Sequence, residues 1–257
     1  MLHSTQTNIG QPTLVLLHPA GFDGRIWQKA TELLPDFNCV CIDLPGHGLS
    51  KGHTVTDFEE ASDAVARVVE KLGTSPVHIA GISMGSYIGF YLMLRHSALV
   101  QSAILSGFQC EPIPAPALMR ALMHVSSWMI NSRRTREKMA RSMGVANVDL
   151  ISRKGRPNAS ASTMRKVGRL ALEFDVLDAL RHISVPTLVL AGEKEHPAIK
   201  ASLPVFQTRM SRCKARTIPN LGHGWIAQSP ELFAETVRAW ILDLTLPEEL
   251  EPVSKAD

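Results

Sequence analysis

The feature that most restricts what this chain can fold into is the pentad Gly81-Ile82-Ser83-Met84-Gly85. The residues before it, Pro76-Val77-His78-Ile79-Ala80, are short and apolar with β-branched Val77 and Ile79, which predicts a strand. After it, Ser86 to His96 place Ile88, Phe90, Tyr91, Leu92 and Leu94 almost all round a helix, the pattern of a buried one. A strand running straight into a buried helix needs a sharp turn at Ser83. Such a turn crowds its neighbours, and the two glycines stand where a side chain would collide. The turn lifts the serine hydroxyl clear of the strand. It also leaves the Met84 amide at a helix N-terminus, where an anion is stabilised.

The rest of the chain alternates in the same way. Thr13 to Leu17 is a continuous apolar run, as in a strand buried on both faces. It leads into a loop, His18 to Gly24, and a predicted helix from Ile26 to Leu34. A strand over Cys39 to Ile42 and the turn-rich Asp43 to Ser50 follow. Thr56 to Leu72 predicts an amphipathic helix, with Phe58, Ala61, Val65, Val68, Val69 and Leu72 on one side and Thr56 with Glu59 as its cap. Strand Val100 to Leu105 comes after the pentad helix. Strands alternating with helices give the α/β class, a mostly parallel central sheet with helices on both faces. Functional loops then lie at the carboxyl ends of the strands, which puts His18, Asp43 and Ser83 along one edge.

From Phe108 to His182 the alternation stops and a Met-, Arg- and Lys-rich stretch takes over, helical in pattern at Ala117 to Ile130, Ser132 to Met143 and Leu170 to Leu180. Gly155 to Ser162 reads as a polar loop. Alternation resumes with strand Thr187 to Leu190, a helix within Pro197 to Arg212, strand Ala215 to Ile218 and a helix over Pro230 to Leu244 capped by Ser229. The expected division is a core of residues 1–107 and 183–246, an inserted helical segment 108–182, and a loose acidic tail 247–257.

Composition narrows the partners. A net charge of +3 gives no reason to expect nucleic acid. Cys39, Cys41, Cys110 and Cys213 show no metal-ligand spacing and read as free buried thiols. The first residues lack the basic-then-apolar pattern of a leader. Apolar runs fall short of the roughly 18 residues that a membrane span needs. A soluble cytoplasmic protein without a membrane span, monomeric or homodimeric, is the expectation.

Four motifs then stand in order: Leu16-Leu17-His18-Pro19-Ala20-Gly21-Phe22, Asp43-Leu44-Pro45-Gly46-His47-Gly48-Leu49-Ser50, Gly81-Ile82-Ser83-Met84-Gly85 and Asn220-Leu221-Gly222-His223-Gly224. Over nearly its whole length the chain resembles the α/β-hydrolase superfamily, whose glycine-flanked serine turn is the nucleophile elbow. The resemblance implies a helical cap after the sixth strand position, matching the insert, and a triad in the order Ser, acid, His. Ser83 is the expected nucleophile and His223 the general base. The Met84 amide supplies one oxyanion donor, and the position matching the second is Ala20. Pro19 stands where relatives often carry glycine; it has no amide to donate and would instead stiffen the loop. Ser86 replaces another common glycine and reads as structural.

The acid is the least conventional member. The loop after the strand that follows the cap, Gly192-Glu193-Lys194-Glu195-His196-Pro197, contains no aspartate. Glu195 takes the acid's place in the family's glycine-x-x-acid pattern. Glu193 would brace the loop, and Asp175 or Asp178 are distant alternatives. His18, His47 and His78 read as packed or hydrogen-bonded residues, and Asp43 as a brace for the turn after it. Phe22, Met119, Met123 and Trp128 are expected at an apolar substrate pocket under the cap. No metal or organic cofactor is called for. The implied activity is serine hydrolysis of a carboxylic ester, thioester or lactone. Lyase or carbon–carbon bond hydrolysis, acyl transfer, and a non-enzymatic ligand receptor are the rivals.

Overall fold

A computed structural model of the chain describes residues 1–8, 12–113, 132–145 and 148–253. At its centre lies an eight-stranded sheet. In spatial order its strands are β1 (Ser4–Gln6), β3 (Asn38–Ile42), β2 (Thr13–Leu17), β4 (Val77–Ile82), β5 (Val100–Ser106), β8 (Thr187–Gly192), β9 (Cys213–Ile218) and β10 (Glu251–Pro252). The inner strands are parallel, and β1 and β10 close the two edges antiparallel. β2, β4 and β8 are buried at every position, which is why they are almost wholly apolar, His78 in β4 apart.

Helices cover both faces. On one side the turn that leads into α1 (Gln28–Glu32) packs Trp27, and α8 (Pro230–Ile241) packs Phe233, against Leu14 and Leu16. On the other, α2 (Phe58–Leu72), α3 (Met84–Arg95) and α6 (Pro197–Arg209) bury Val65, Phe90 and Phe206 against Val15 and Leu17. Among the described residues no helix is long and apolar enough to cross a membrane. All four cysteines are free, and only Cys213 is partly exposed.

Local chemistry departs from expectation in several places. Asp57, not Thr56, caps α2: its carboxylate accepts the Glu60 amide at 2.7 Å, while the Thr56 hydroxyl bonds the Glu60 side chain. A charged oxygen at a helix N-terminus outcompetes a hydroxyl one residue earlier. Ser229 precedes α8 but makes no side-chain cap bond, and Pro230 takes the first helical position, where its missing amide costs nothing. The tail is not wholly loose, since Glu251 and Pro252 pair with Thr217 and Arg216. Pro252 lacks a donor and is tolerated because β10 is an edge.

The insert leaves the sheet after β5; the sixth strand position of the resemblance is the fifth strand of this chain. Its described parts hold α4 (Arg133–Ser142), α5 (Ala161–Leu172) and a small hairpin, β6 (Ser152–Arg153) with β7 (Arg156–Pro157), where a polar loop was expected. Lys154 and Gly155 turn it with φ of 47° and 73°. Lysine in the first of those places hides a turn usually signalled by Asn-Gly. α5 starts well before Leu170 because Ser160 Oγ accepts the Thr163 amide at 3.0 Å. It stops at Leu172 because Phe174 turns into an aromatic cluster, 4.6 Å from Tyr87 and 6.2 Å from Phe58 between ring centres. The insert thereby packs on α3. It also reaches the carboxyl-end loops, where the Gly48 amide donates to the Asn158 carbonyl and Arg153 joins Arg25 on the buried Asp23 carboxylate.

Candidate active site

Ser83 lies between β4 and α3 with φ 53° and ψ −118°, a conformation that a non-glycine residue adopts only under constraint. The constraint is visible. Its amide donates to the Ser106 carbonyl at 2.8 Å, and its carbonyl receives the amides of Ser86 at 2.8 Å and Tyr87 at 3.2 Å. A Cβ at Gly81 would stand 2.6 Å from the Gly85 carbonyl oxygen, and one at Gly85 would stand 2.0 Å from that of Leu17. The two glycines are therefore the condition for bringing strand, turn and helix this close.

The Met84 amide opens α3. Neither it nor the Ala20 amide donates to a protein acceptor among the described residues. The Ala20 amide has its direction set by His18. His18 Nε2 accepts the Leu44 amide at 2.9 Å, so Nδ1 carries the proton and donates to the Pro19 carbonyl at 2.9 Å. That carbonyl and the Ala20 N–H belong to one planar peptide unit. Pro19 and His18 together hold a loop amide still without donating one themselves.

Asp43 braces two loops at once, accepting the Gly24 amide at 2.8 Å and the Leu49 amide at 2.7 Å. His47 lies beside His18, ring centres 5.3 Å apart, and bonds the Pro45 carbonyl through Nδ1 at 2.9 Å. His78 pairs with the Ser102 hydroxyl at 2.8 Å. Burial pushes His18 down to about 4, His47 to about 3 (the His18 ring adding to it) and His78 to about 4. All three stay neutral in the folded chain near pH 7, whereas an unfolded histidine binds a proton below about 6.5. Between those values the unfolded chain takes up protons that the folded one refuses, so stability falls as pH falls from about 6.5 toward 4. His18 alone carries on the order of 3 kcal/mol across that window. Urea unfolding measured from pH 7 to 4.5 should show this decline, and a flat profile would contradict the burial of these rings.

His223 follows β9. Its Nδ1 donates to Glu195, 2.8 Å from Oε1 and 3.1 Å from Oε2, which leaves Nε2 as the free basic nitrogen. The Glu195 side chain is 3% exposed and that of His223 33%. Glu193 does something else: its carboxylate accepts the Asn220 amide at 2.7 Å. With Glu193 N–H on the Ile218 carbonyl and Lys194 N–H on the Leu221 carbonyl, both at 2.9 Å, the acid loop is stitched to the histidine loop. Asp175 accepts the Leu177 amide within a turn at the end of the insert.

Ser83 and the His223–Glu195 pair meet at the end of β5. Ser106 holds the Ser83 amide, and Gly107, at φ 71°, faces the pair. A Cβ on Gly107 would lie 2.9 Å from His223 Cε1 and 3.1 Å from Glu195 Oε1. Among the described residues no hydrogen bond joins Ser83 Oγ to His223; such contacts commonly tighten only when substrate binds. Phe22 is fully buried in the core with Leu14, Leu16 and Trp27, so the described structure gives it a packing role rather than a pocket one. Met119, Met123 and Trp128 lie outside the described residues. Ser106 and Gly107 stand in none of the four sequence motifs. A Ser-Gly step closing an apolar strand is the turn signal that marks them.

The model of the alpha/beta hydrolase family matches residues 14–236. This chain belongs to that family. Curated relatives of this α/β-hydrolase include an AB hydrolase superfamily protein of Gibberella zeae, 26% identical over 96% of this chain and 86% of its own length. Another is 2-succinyl-6-hydroxy-2,4-cyclohexadiene-1-carboxylate synthase of Serratia proteamaculans, 24% identical over 93% of this chain and 96% of its own. A thermophilic esterase from Thermogutta terrifontis superposes with a TM-score of 0.77 at 21% identity, covering 94% of this hydrolase-family chain and 93% of that one. At that identity the likeness speaks to the fold.

Proposed function

We propose that this α/β-hydrolase cleaves a carboxylic ester or a related acyl bond, thioesters and lactones included, through Ser83, His223 and Glu195. The observation that carries the reading is the buried Glu195 carboxylate on His223 Nδ1, beside a serine held in the strained turn. In this reading His223 Nε2 takes the proton of Ser83 Oγ as that oxygen attacks the carbonyl carbon. The negative charge that develops on the carbonyl oxygen is met by the amides of Ala20 and Met84, a contribution of about 3 kcal/mol per donor. The imidazolium returns its proton to the leaving group, giving an acyl-Ser83 intermediate. Water, deprotonated by His223, then releases the acid and restores the serine. The insert roofs the site, and substrate choice resides there.

The relatives named as 2-succinyl-6-hydroxy-2,4-cyclohexadiene-1-carboxylate synthase favour a second reading, in which the same residues run an elimination on a small carboxylate-bearing substrate. Fluorophosphonate labelling followed by peptide mapping, then a panel of p-nitrophenyl esters of increasing chain length, separates the two. Label on Ser83 with ester turnover supports the hydrolase; label on Ser83 with no turnover across the panel supports the elimination; no label defeats both.

A further inference from the structure

Resting on the reading that Ser83 and His223 act together, we propose that Ser106 is a positioning residue that fixes the spacing between the nucleophile turn and the base loop, with Ser86 and Trp225 as its two arms. The first arm is a clasp. Ser86 Oγ donates to the Ser106 carbonyl at 2.8 Å and accepts the Ser106 amide at 2.9 Å, so one hydroxyl uses both its hydrogen-bonding senses on one residue. The same carbonyl accepts the Ser83 amide at 2.8 Å. A glycine at position 86 would offer neither bond.

The second arm reaches the base. Ser106 Oγ accepts the indole N–H of Trp225 at 2.8 Å, and Trp225 opens α7 (Trp225–Gln228), two residues beyond His223. Ser86, Ser106 and Trp225 are all buried, at 0%, 1% and 0% exposure. The pairing is selective: among the described residues the buried indole nitrogens of Trp27 and Trp240 have no partner. The next residue, Gly107, packs directly on the His223 ring and on Glu195. Strand β5 therefore holds the two reacting groups from one point, although they lie far apart in the chain. A misplacement of about 1 Å between such groups can cost roughly 100-fold in rate.

The test compares Trp225→Phe, Ser106→Ala and the double variant with wild type, each assayed with p-nitrophenyl butyrate well below its melting temperature. Ser106→Ala removes only the hydroxyl that accepts the indole N–H, whereas Trp225→Phe keeps a buried aromatic ring but loses the rest of the pyrrole ring with the N–H. We expect kcat to fall about 10- to 100-fold with KM within twofold. The double variant should be no worse than the poorer single, because both remove one bond. The proton resonance of His223 Nδ1, assigned with His223→Asn, should move or broaden in both single variants. Values of kcat within twofold of wild type in folded variants, or losses that multiply in the double, would overturn the proposal. If wild type neither labels nor turns over ester, the functional reading fails on its own, and the Nδ1 resonance still decides: unmoved in both single variants, it overturns the positioning role.

Discussion

Ser83→Ala should abolish fluorophosphonate labelling and lower kcat on any ester that the wild-type chain hydrolyses by about 10⁴- to 10⁶-fold. The fold should survive. The Ser83 hydroxyl makes no hydrogen bond among the described residues, and the bonds that hold the turn run through backbone atoms. Alanine keeps the Cβ, so the strain at φ 53° is neither relieved nor increased. A melting temperature within a few degrees of wild type, with labelling lost, is the outcome expected. A variant that still labels at the wild-type rate would mean that another nucleophile reacts.

Glu195→Gln should cut kcat by about 10²- to 10⁴-fold and leave KM little changed. The amide is nearly isosteric, so packing around the 3%-exposed side chain is preserved. Its charge is lost, and with it the stabilisation of the imidazolium formed when His223 takes the serine proton. The amide NH₂ can also donate to Nδ1, which would drive the proton to Nε2 and remove the base. Glu195→Asp retains the charge but shortens the reach across a 2.8 Å bond, and its loss should be smaller. Stopped-flow measurement of the acylation step separates these effects from product release. A Glu195→Gln rate within tenfold of wild type would remove Glu195 from the mechanism.

Much of this was legible in the residues because the elements concerned are set locally. A continuous apolar run marks β2, and the pentad around Ser83 reports a collision that only glycine avoids. The preference for Glu195 over Glu193 rests on the family resemblance, whose glycine-x-x-acid pattern counts from Gly192. What escaped notice depends on contacts between distant segments. Gly107 is required by two side chains, His223 and Glu195, that arrive from elsewhere in the chain. Ser106 reads as the end of a strand until Trp225 is seen to bond it. The helix cap at Asp57 was missed for a smaller reason, two capping residues standing side by side. The end of α5 is not written in its own residues, because Phe174 leaves the helical path for an aromatic cluster supplied by α2 and α3.

The locked ring of His18 bears on how a pH–rate profile of this chain would be read. Its Nδ1–H donates to the Pro19 carbonyl, its Nε2 accepts the Leu44 amide, and it remains uncharged down to about pH 4. The peptide plane that it fixes is therefore indifferent to acidity over the range in which an esterase would be assayed. In the proposed mechanism, anion stabilisation by the Ala20 amide and base strength at His223, which commonly blur into one another in such profiles, would be decoupled. The acid limb of log kcat should then be a line of unit slope, reporting one ionisation, with the second bend confined to the acid range where the His18 lock opens.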